Sequence, residues 1–191
     1  MKRRVLRTLP AALTLALCSL SGLPAGAQAN APEPTLSAAL QDKAAVGTAR
    51  LRYWGFDVYD ASLWALPGFD ARQFENQRFG LELAYLRDFK GADIAERSID
   101  EMQGLATITP AQATRWAQAM SSLFPDVKRG DRITGVHVPG SGARFYLNGK
   151  LLGEVADDAF SRLFFGIWLS PKTSQPRMRE ALIQGLGGTP R

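Results

Sequence analysis

Residues 130–171 read GDRITGVHVPGSGARFYLNGKLLGEVADDAFSRLFFGIWLSP. This segment carries two hairpin turn signals, Pro139-Gly140-Ser141-Gly142 and Asn148-Gly149, between runs rich in β-branched and aromatic residues. The acidic pair Asp157-Asp158 then opens an apolar helix that ends before Pro171. Three strands joined by tight turns and followed by a helix predict an antiparallel sheet that is covered on one face by helices.

Working outward, the apolar pattern predicts the rest of the elements. Thr109, Pro110 and Gln112 form a capping box with proline at the first helical position, and Ser174 suits the N-cap of the last helix. The predicted strands are 48–53, 56–64, 79–86, 132–138, 143–147 and 150–155, and the predicted helices are 92–103, 110–124, 158–169 and 175–185. The order is βββααβββαα, so the fold class is α+β: an open-faced sandwich with an antiparallel sheet of about six strands and a helical layer on one face.

The first 29 residues have the pattern of an export signal. Lys2, Arg3, Arg4 and Arg7 form a basic start, residues 9–20 are mostly apolar, and Ala27-Gln28-Ala29 fits a signal-peptidase site. We therefore predict a signal peptide at 1–29, a flexible leader at 30–45, one domain at 46–188 and a periplasmic product with no membrane span after cleavage. A retained N-terminal anchor is the alternative.

Removal of that signal changes the charge argument. The signal carries four basic residues and no acidic one, so 19 basic and 18 acidic residues remain and the formal charge falls from +5 to +1. The high isoelectric point of the whole chain is therefore no indication of a nucleic-acid partner. The single cysteine, Cys18, lies in the signal, so we expect the exported domain to be held by its core rather than by disulfides.

Three segments resemble the bacterial chalcone isomerase-like family of exported proteins. They are Gly55-Phe56-Asp57-Val58-Tyr59, the segment LELAYLRDFKGADIAERSIDEM, and GDRITGVHVPGSGARFYLNGKLLGEV leading into FSRLFFGIWLSP. The resemblance covers nearly all of residues 46–184. It implies a long antiparallel sheet under a helical layer, with ligands in a cleft between the two.

The wider superfamily implies two kinds of function. Plant chalcone isomerases close a chalcone to a flavanone, whereas other members bind fatty acids without a known reaction. In the isomerases a threonine precedes the glycine of the first motif strand, and here that position is Trp54. Trp54 cannot supply the hydroxyl, and we expect its indole to fill part of the cleft. Together with Trp64, Trp116 and Trp168, we expect it to belong to the core.

The best candidate for a ligand site is the pair Tyr85 and Arg87. Side chains two apart on a strand share a face, so both would follow the apolar wall of Phe79, Leu81 and Leu83. An apolar wall that ends in a hydroxyl and a guanidinium suits an amphipathic acid. Tyr59 on the neighbouring strand is a weaker candidate of the same kind. The alternative is that Arg87 lies at the strand end and pairs with acidic residues at the surface.

Few residues of the sequence support a catalytic or metal-binding site of another kind. His137 is the only histidine and is interpreted as a structural residue at the sheet surface. Hydrolase and zinc motifs are absent from the sequence, and Asp157-Asp158 is explained by the helix dipole rather than by a metal. We predict no cofactor and no metal.

Three hypotheses remain at this stage. The first is a non-catalytic periplasmic binder of a small amphipathic molecule such as a fatty acid. The second is an intramolecular lyase of the chalcone–flavanone isomerase type. The third is a structural or partner-binding module whose cleft is closed by its own side chains, with Trp54 as the filling residue.

Overall fold

The computed structural model describes residues 45–187, so the predicted signal peptide, the leader up to residue 44 and residue 188 lie outside the described part. The elements follow the predicted order. The strands are β1 (Gly47–Tyr53), β2 (Phe56–Ala65), β3 (Phe79–Tyr85), β4 (Arg132–Val138), β5 (Gly142–Leu147) and β6 (Lys150–Val155). The helices are α1 (Gly91–Leu105), α2 (Pro110–Leu123), α3 (Asp158–Leu169) and α4 (Pro176–Ile183), and a short 3₁₀ segment (Ala71–Asn76) lies between β2 and β3.

The six strands form one antiparallel sheet in the order β1-β2-β3-β4-β5-β6. Each strand pairs with its neighbours in sequence, and the two helices α1 and α2 connect β3 to β4. Two-residue turns join β1 to β2 and β5 to β6. The predicted α+β class with a single antiparallel sheet is therefore confirmed.

The helix ends follow from local sequence. Thr109 and Gln112 form the predicted capping box at the start of α2. Asp157 caps α3 by accepting a hydrogen bond from the Phe160 amide at 3.0 Å, and its other oxygen accepts from the Trp116 indole at 2.9 Å. One carboxylate thus starts α3 and ties it to α2. The predicted Ser174 cap is wrong, because Gln175 is the N-cap of α4 and the Ser174 hydroxyl instead donates to Glu101 at 2.7 Å.

The core lies between the sheet and the helical layer. Alternate residues of β3 face the helices, as the period of two predicts, and Phe79, Leu81, Leu83 and Tyr85 are all buried. Helix α3 supplies the opposing surface with a run of buried residues. These are Phe160, Ser161, Phe164, Phe165, Gly166, Ile167, Trp168 and Leu169.

His137 is structural, as expected, but it is fully buried in the core rather than at the sheet surface. Its Nε2 donates to the Glu75 carbonyl at 2.9 Å, because a carbonyl can only accept, and its Nδ1 lies 2.7 Å from the Ser161 hydroxyl. Burial lowers the pKa of His137, which favours the neutral ring. The Ser161 hydroxyl also lies 2.9 Å from the Gly142 carbonyl, so Nδ1 and that carbonyl compete for its single proton. The ring links the 3₁₀ segment, β4 and α3.

Two of the four tryptophan predictions need correction. Trp116 and Trp168 are buried, as predicted. Trp54 is 83 % exposed, because it lies in the two-residue turn at the tip of the β1–β2 hairpin. Trp64 is only half-buried, on the opposite face of the sheet beside Val136 and Tyr146. Within residues 45–187, no helix has both the length and the apolar character needed to cross a membrane.

Candidate functional site

A cavity of about 440 Å³ lies between the sheet and the helices, at the end of β3 that carries Tyr85. Strands β1 to β4 form its floor, α1 and α3 form its walls, and the segment before α4 contributes to its rim. The lining is mostly apolar with a few polar side chains. It consists of Leu51, Tyr53, Val58, Tyr59, Leu83, Tyr85, Phe89, Asp93, Ile94, Arg97, Ser98, Glu101, Phe124, Ile133, Phe164, Ile167, Trp168, Ser174 and Gln175.

The sheet brings the two predicted tyrosines together. Tyr59 on β2 is the register partner of Tyr85 on β3, so both side chains project from the same face. Their ring centroids are 6.1 Å apart in an edge-to-face arrangement. The Trp168 indole donates to the Tyr59 hydroxyl oxygen at 3.0 Å, which fixes the Tyr59 ring against α3. The proton of the Tyr59 hydroxyl is left free to donate.

Both phenols stay protonated near neutral pH. Burial raises the pKa of Tyr59 to about 12, and the hydrogen bond from Trp168 opposes this only in part. Burial also raises the pKa of Tyr85, and the neighbouring Tyr59 adds to the rise. Tyr85 is only 4 % exposed. Its hydroxyl nevertheless has no hydrogen-bond partner among residues 45–187. This hydroxyl is open to the cavity and has an unused donor and acceptor.

Helix α1 supplies the polar rim. Ile94, Arg97, Ser98 and Glu101 follow the i, i+3, i+4, i+7 spacing of one helix face, and all four line the cavity. Arg97 forms an ion pair with Glu101 through one terminal nitrogen. A guanidinium has five N–H donors, so the pair leaves Arg97 with further donors for a ligand. Among the described lining residues, Arg97 is the one with a cationic side chain.

Arg87 lies elsewhere. Strand β3 ends at Tyr85, so the period of two no longer sets the direction of the residues that follow. Arg87 is exposed, and its guanidinium lies over the Phe56 ring at 4.7 Å from the centroid. It is not among the residues that line the cavity. The structure thus places Tyr59 and Tyr85 in one site with Arg97, whereas Arg87 lies in the segment after β3 and packs against the β1–β2 hairpin.

Sequence reasoning missed the contribution of α1. The sequence pattern predicts only the extent of this helix, whose residues Ala95, Ile99 and Met102 are buried against the core. The face one position earlier, from Ile94 to Glu101, mixes apolar and charged residues. Every amphipathic helix has such a mixture at the boundary between its buried and solvated faces, so it does not by itself indicate a cavity wall. The cavity is also not filled by Trp54, which contradicts the expectation that its indole occupies the cleft.

A family profile described as chalcone isomerase-like matches residues 43–184 of this chain. The match extends over all six strands and the four helices, and it includes every residue that lines the cavity.

Two individual proteins show similarity to the chain. A Haemophilus influenzae protein described as uncharacterized is 27 % identical over 139 residues, which is 72 % of this chain and 66 % of that protein. The aligned part thus spans just under two thirds of that relative. The crystal structure of the Arabidopsis thaliana fatty-acid binding protein AtFAP1 superposes with a TM-score of 0.58 at 14 % identity, covering 74 % of this chain and 87 % of the other. At this identity the likeness establishes the shared fold.

Proposed function

The chain belongs to the chalcone isomerase-like family, and we propose that it binds a small amphipathic molecule, such as a fatty acid, without transforming it. The observation that carries the proposal is the unpartnered Tyr85 hydroxyl inside an apolar cavity of about 440 Å³. Ligand cavities in proteins are about 300–1,000 Å³ and are mostly apolar with a few placed polar groups. The fold shared with a plant fatty-acid binding protein supports the same class of ligand.

The polar part of the ligand has a natural position between the two tyrosines. The Tyr85 hydroxyl is open to the cavity, so a ligand oxygen that reaches it exchanges a hydrogen bond to water for one within the complex, which is worth roughly 0.5–1.5 kcal/mol. Tyr59 can donate to the same oxygen, because the Trp168 indole uses only its acceptor side. Two donors directed at one oxygen suit a carboxyl or carbonyl group.

The apolar part of the ligand contacts Leu51, Leu83 and Ile133 on the sheet and Ile167 on α3. Removal of hydrocarbon from water contributes about 0.8 kcal/mol for each buried CH₂ group, so a chain of several methylenes supplies most of the affinity. Arg97 at the rim adds a charge-assisted contact if the head group is an acid. This arrangement replaces Arg87 of the sequence hypothesis with Arg97.

Titration of a long-chain fatty acid tests the proposal. The Arg97 side chain is 62 % exposed and already paired with Glu101, so its contact with a carboxylate is worth roughly 0.2–1 kcal/mol and Arg97→Ala is expected to weaken binding about 1.4- to 5-fold. Arg87→Ala is the matched control and is expected to leave the affinity unchanged. The methyl ester of the same acid should bind wild type more weakly and be insensitive to Arg97→Ala. Absence of binding to wild type would reject the proposal and favour the structural module.

The lyase alternative has a separate readout. Chalcone cyclisation is followed by the loss of visible absorbance, and we expect no turnover above the spontaneous rate. Trp54, which stands at the threonine position of the isomerases, is exposed outside the cavity and brings no hydroxyl to it. Protein-dependent turnover would establish the lyase instead.

We also propose that the protein is exported to the periplasm after cleavage following Ala29. The support is the basic, apolar and Ala-Gln-Ala pattern of the first 29 residues. N-terminal sequencing of the protein from its host tests this, and a start at any residue before Asn30 would overturn it.

A further inference from the structure

Two hairpin turns in this protein have nearly equal φ angles and different residues. At the β5–β6 turn, Asn148 and Gly149 have φ of 49° and 82°, and at the β1–β2 turn, Trp54 and Gly55 have φ of 51° and 80°. Positive φ at both central positions is the turn type that favours Asn-Gly. A bulky residue in this conformation is a true outlier, so Trp54 occupies the tip at a conformational cost. Nothing in the folding of the hairpin requires a tryptophan there.

The tip of this hairpin is an exposed aromatic cluster. Tyr53, Trp54 and Phe56 are 58 %, 83 % and 59 % exposed. An aromatic side chain covers about 150–250 Å² when buried, and these exposed fractions add up to two whole side chains, so the tip offers about 300–500 Å², well below the roughly 800 Å² per partner of a stable protein interface. The tip is convex and is formed by a two-residue turn. Its size and shape fit shallow insertion into a lipid interface better than a protein dimer.

Cations surround these rings. The guanidinium of Arg87 lies over Phe56, and no ion pair of Arg87 is present within residues 45–187. Arg50 and Arg52 flank the tip on β1. Arg50 pairs with both Asp57 and Asp60, and Arg52 pairs with Asp57 while 68 % of its side chain stays exposed. Exposed aromatic residues beside arginines are the composition of segments that sit at the level of lipid head groups.

The tip also adjoins the cavity. Tyr53 belongs both to the exposed cluster and to the cavity lining, and Leu51 continues the lining along the same strand. A surface bound at Tyr53, Trp54 and Phe56 would therefore lie next to the cavity. A water-insoluble ligand could then pass between the two without crossing bulk water.

We propose that the β1–β2 hairpin tip docks the protein on a phospholipid bilayer, with the aromatic side chains of Tyr53, Trp54 and Phe56 at the head-group level and Arg87 on lipid phosphates. Anionic bilayers are bound more tightly than zwitterionic ones, because the three arginines at the tip (Arg50, Arg52 and Arg87) exceed the two aspartates, Asp57 and Asp60, by one charge. The docking itself is independent of the cavity's ligand. Its use as an entrance to the cavity rests on the proposed function.

Vesicle sedimentation tests the docking with the protein as purified from cells, its N terminus established by intact mass. Trp54→Asn puts the favoured residue in the turn, so the fold should be retained or stabilised. Loss of one large inserted aromatic is expected to lower binding to vesicles of phosphatidylglycerol and phosphatidylcholine by about tenfold or more. Leu151→Asn, which removes a 56 % exposed apolar side chain from β6 at the far edge of the sheet, is the control and should bind like wild type.

A second measurement reports on Trp54 alone. Vesicles with brominated acyl chains should quench wild-type tryptophan fluorescence, and Trp54→Phe should lose most of this quenching while still binding vesicles. An apolar N-terminal segment cannot mimic this result. Failure of wild type to sediment, equal sedimentation of wild type and Trp54→Asn, or quenching that persists in Trp54→Phe would overturn the proposal. Self-association without vesicle binding, abolished by Trp54→Asn, would identify a protein contact and also overturn it.

The same variant separates this proposal from the cavity proposal. Trp54 does not line the cavity, so Trp54→Asn should bind a fatty acid in solution like wild type. A protein that binds the acid but not vesicles rejects only the docking. A protein that binds vesicles but no acid rejects only the cavity ligand.

Discussion

Strand β3 runs between two regions that are built from the same layers and filled differently. At its first residue, the Phe79 ring packs against Phe165 on α3 and against His137, with centroid distances of 5.0 and 5.2 Å. At its last residue, the Tyr85 hydroxyl faces a cavity and has no partner within residues 45–187. The first region is the packed end of the core and the second is the open end.

The difference shows which residues stabilise the fold and which surround the cavity. Aromatic rings in edge-to-face contact fill the packed end, and this filling holds the helices on the sheet. At the open end the side chains are also large, but they stand around a space. The packed end thus accounts for stability, and the open end keeps volume and polar groups that folding alone does not require.

The largest effect is expected at the packed end. Phe79→Ala removes a ring that is fully buried among other rings, and it should lower the free energy of unfolding by about 3–5 kcal/mol. Urea unfolding followed by circular dichroism measures the change. A loss below about 1 kcal/mol would contradict the assignment of stability to the packed end.

The packed end should also show a pH dependence that comes from His137. Burial lowers its pKa in the folded state, so the unfolded chain binds the proton first as the pH falls below its ordinary value near 6.5. Stability is therefore complete above that pH and declines below it, by at most about 1.4 kcal/mol per pH unit for one proton. Unfolding between pH 7.5 and 5 measures this, and His137→Gln should flatten the profile. If the free energy of unfolding depended equally on pH in wild type and His137→Gln, a group other than His137 would take up the proton.

The smallest effect on stability is expected at the open end, where two tyrosines make a matched pair. Tyr85→Phe removes a hydroxyl without a partner, so the free energy of unfolding should change by less than about 0.5 kcal/mol or rise. Tyr59→Phe removes the acceptor of the Trp168 indole and should cost about 1 kcal/mol. Thermal unfolding of the two variants side by side compares them. A larger loss for Tyr85→Phe would show that its hydroxyl serves the fold.

Most of the fold could be predicted from the sequence because its signals are local. The capping box at Thr109 and the turn at Asn148-Gly149 are set by neighbouring residues, and the apolar stripe of α3 has the right period. The polar pair at the site could be predicted only in part. Tyr59 and Tyr85 follow from strand alternation, but Arg87 lies past the end of β3, where alternation stops.

The rest of the site depends on packing between distant segments. Arg97 reaches the cavity because α1 lies across the sheet, and no pattern within α1 states that. Trp54 shows a second limit of sequence-based prediction, in which residue type and local position disagree. Its type indicated a buried residue, while its position in a two-residue turn put it in solvent. Residue type was the weaker signal of the two.

Native mass spectrometry tests the central claim, that the open end is a ligand cavity, most directly. The protein is stripped of bound lipid and incubated with an excess of a long-chain fatty acid. Wild type should carry one molecule of the acid. Ile94→Trp places a larger side chain in the cavity wall and should carry none. Ile108→Trp is the matched control, because Ile108 is half-buried but does not line the cavity, and it should bind like wild type. No one-to-one complex with wild type, or an equal complex with Ile94→Trp, would contradict the claim.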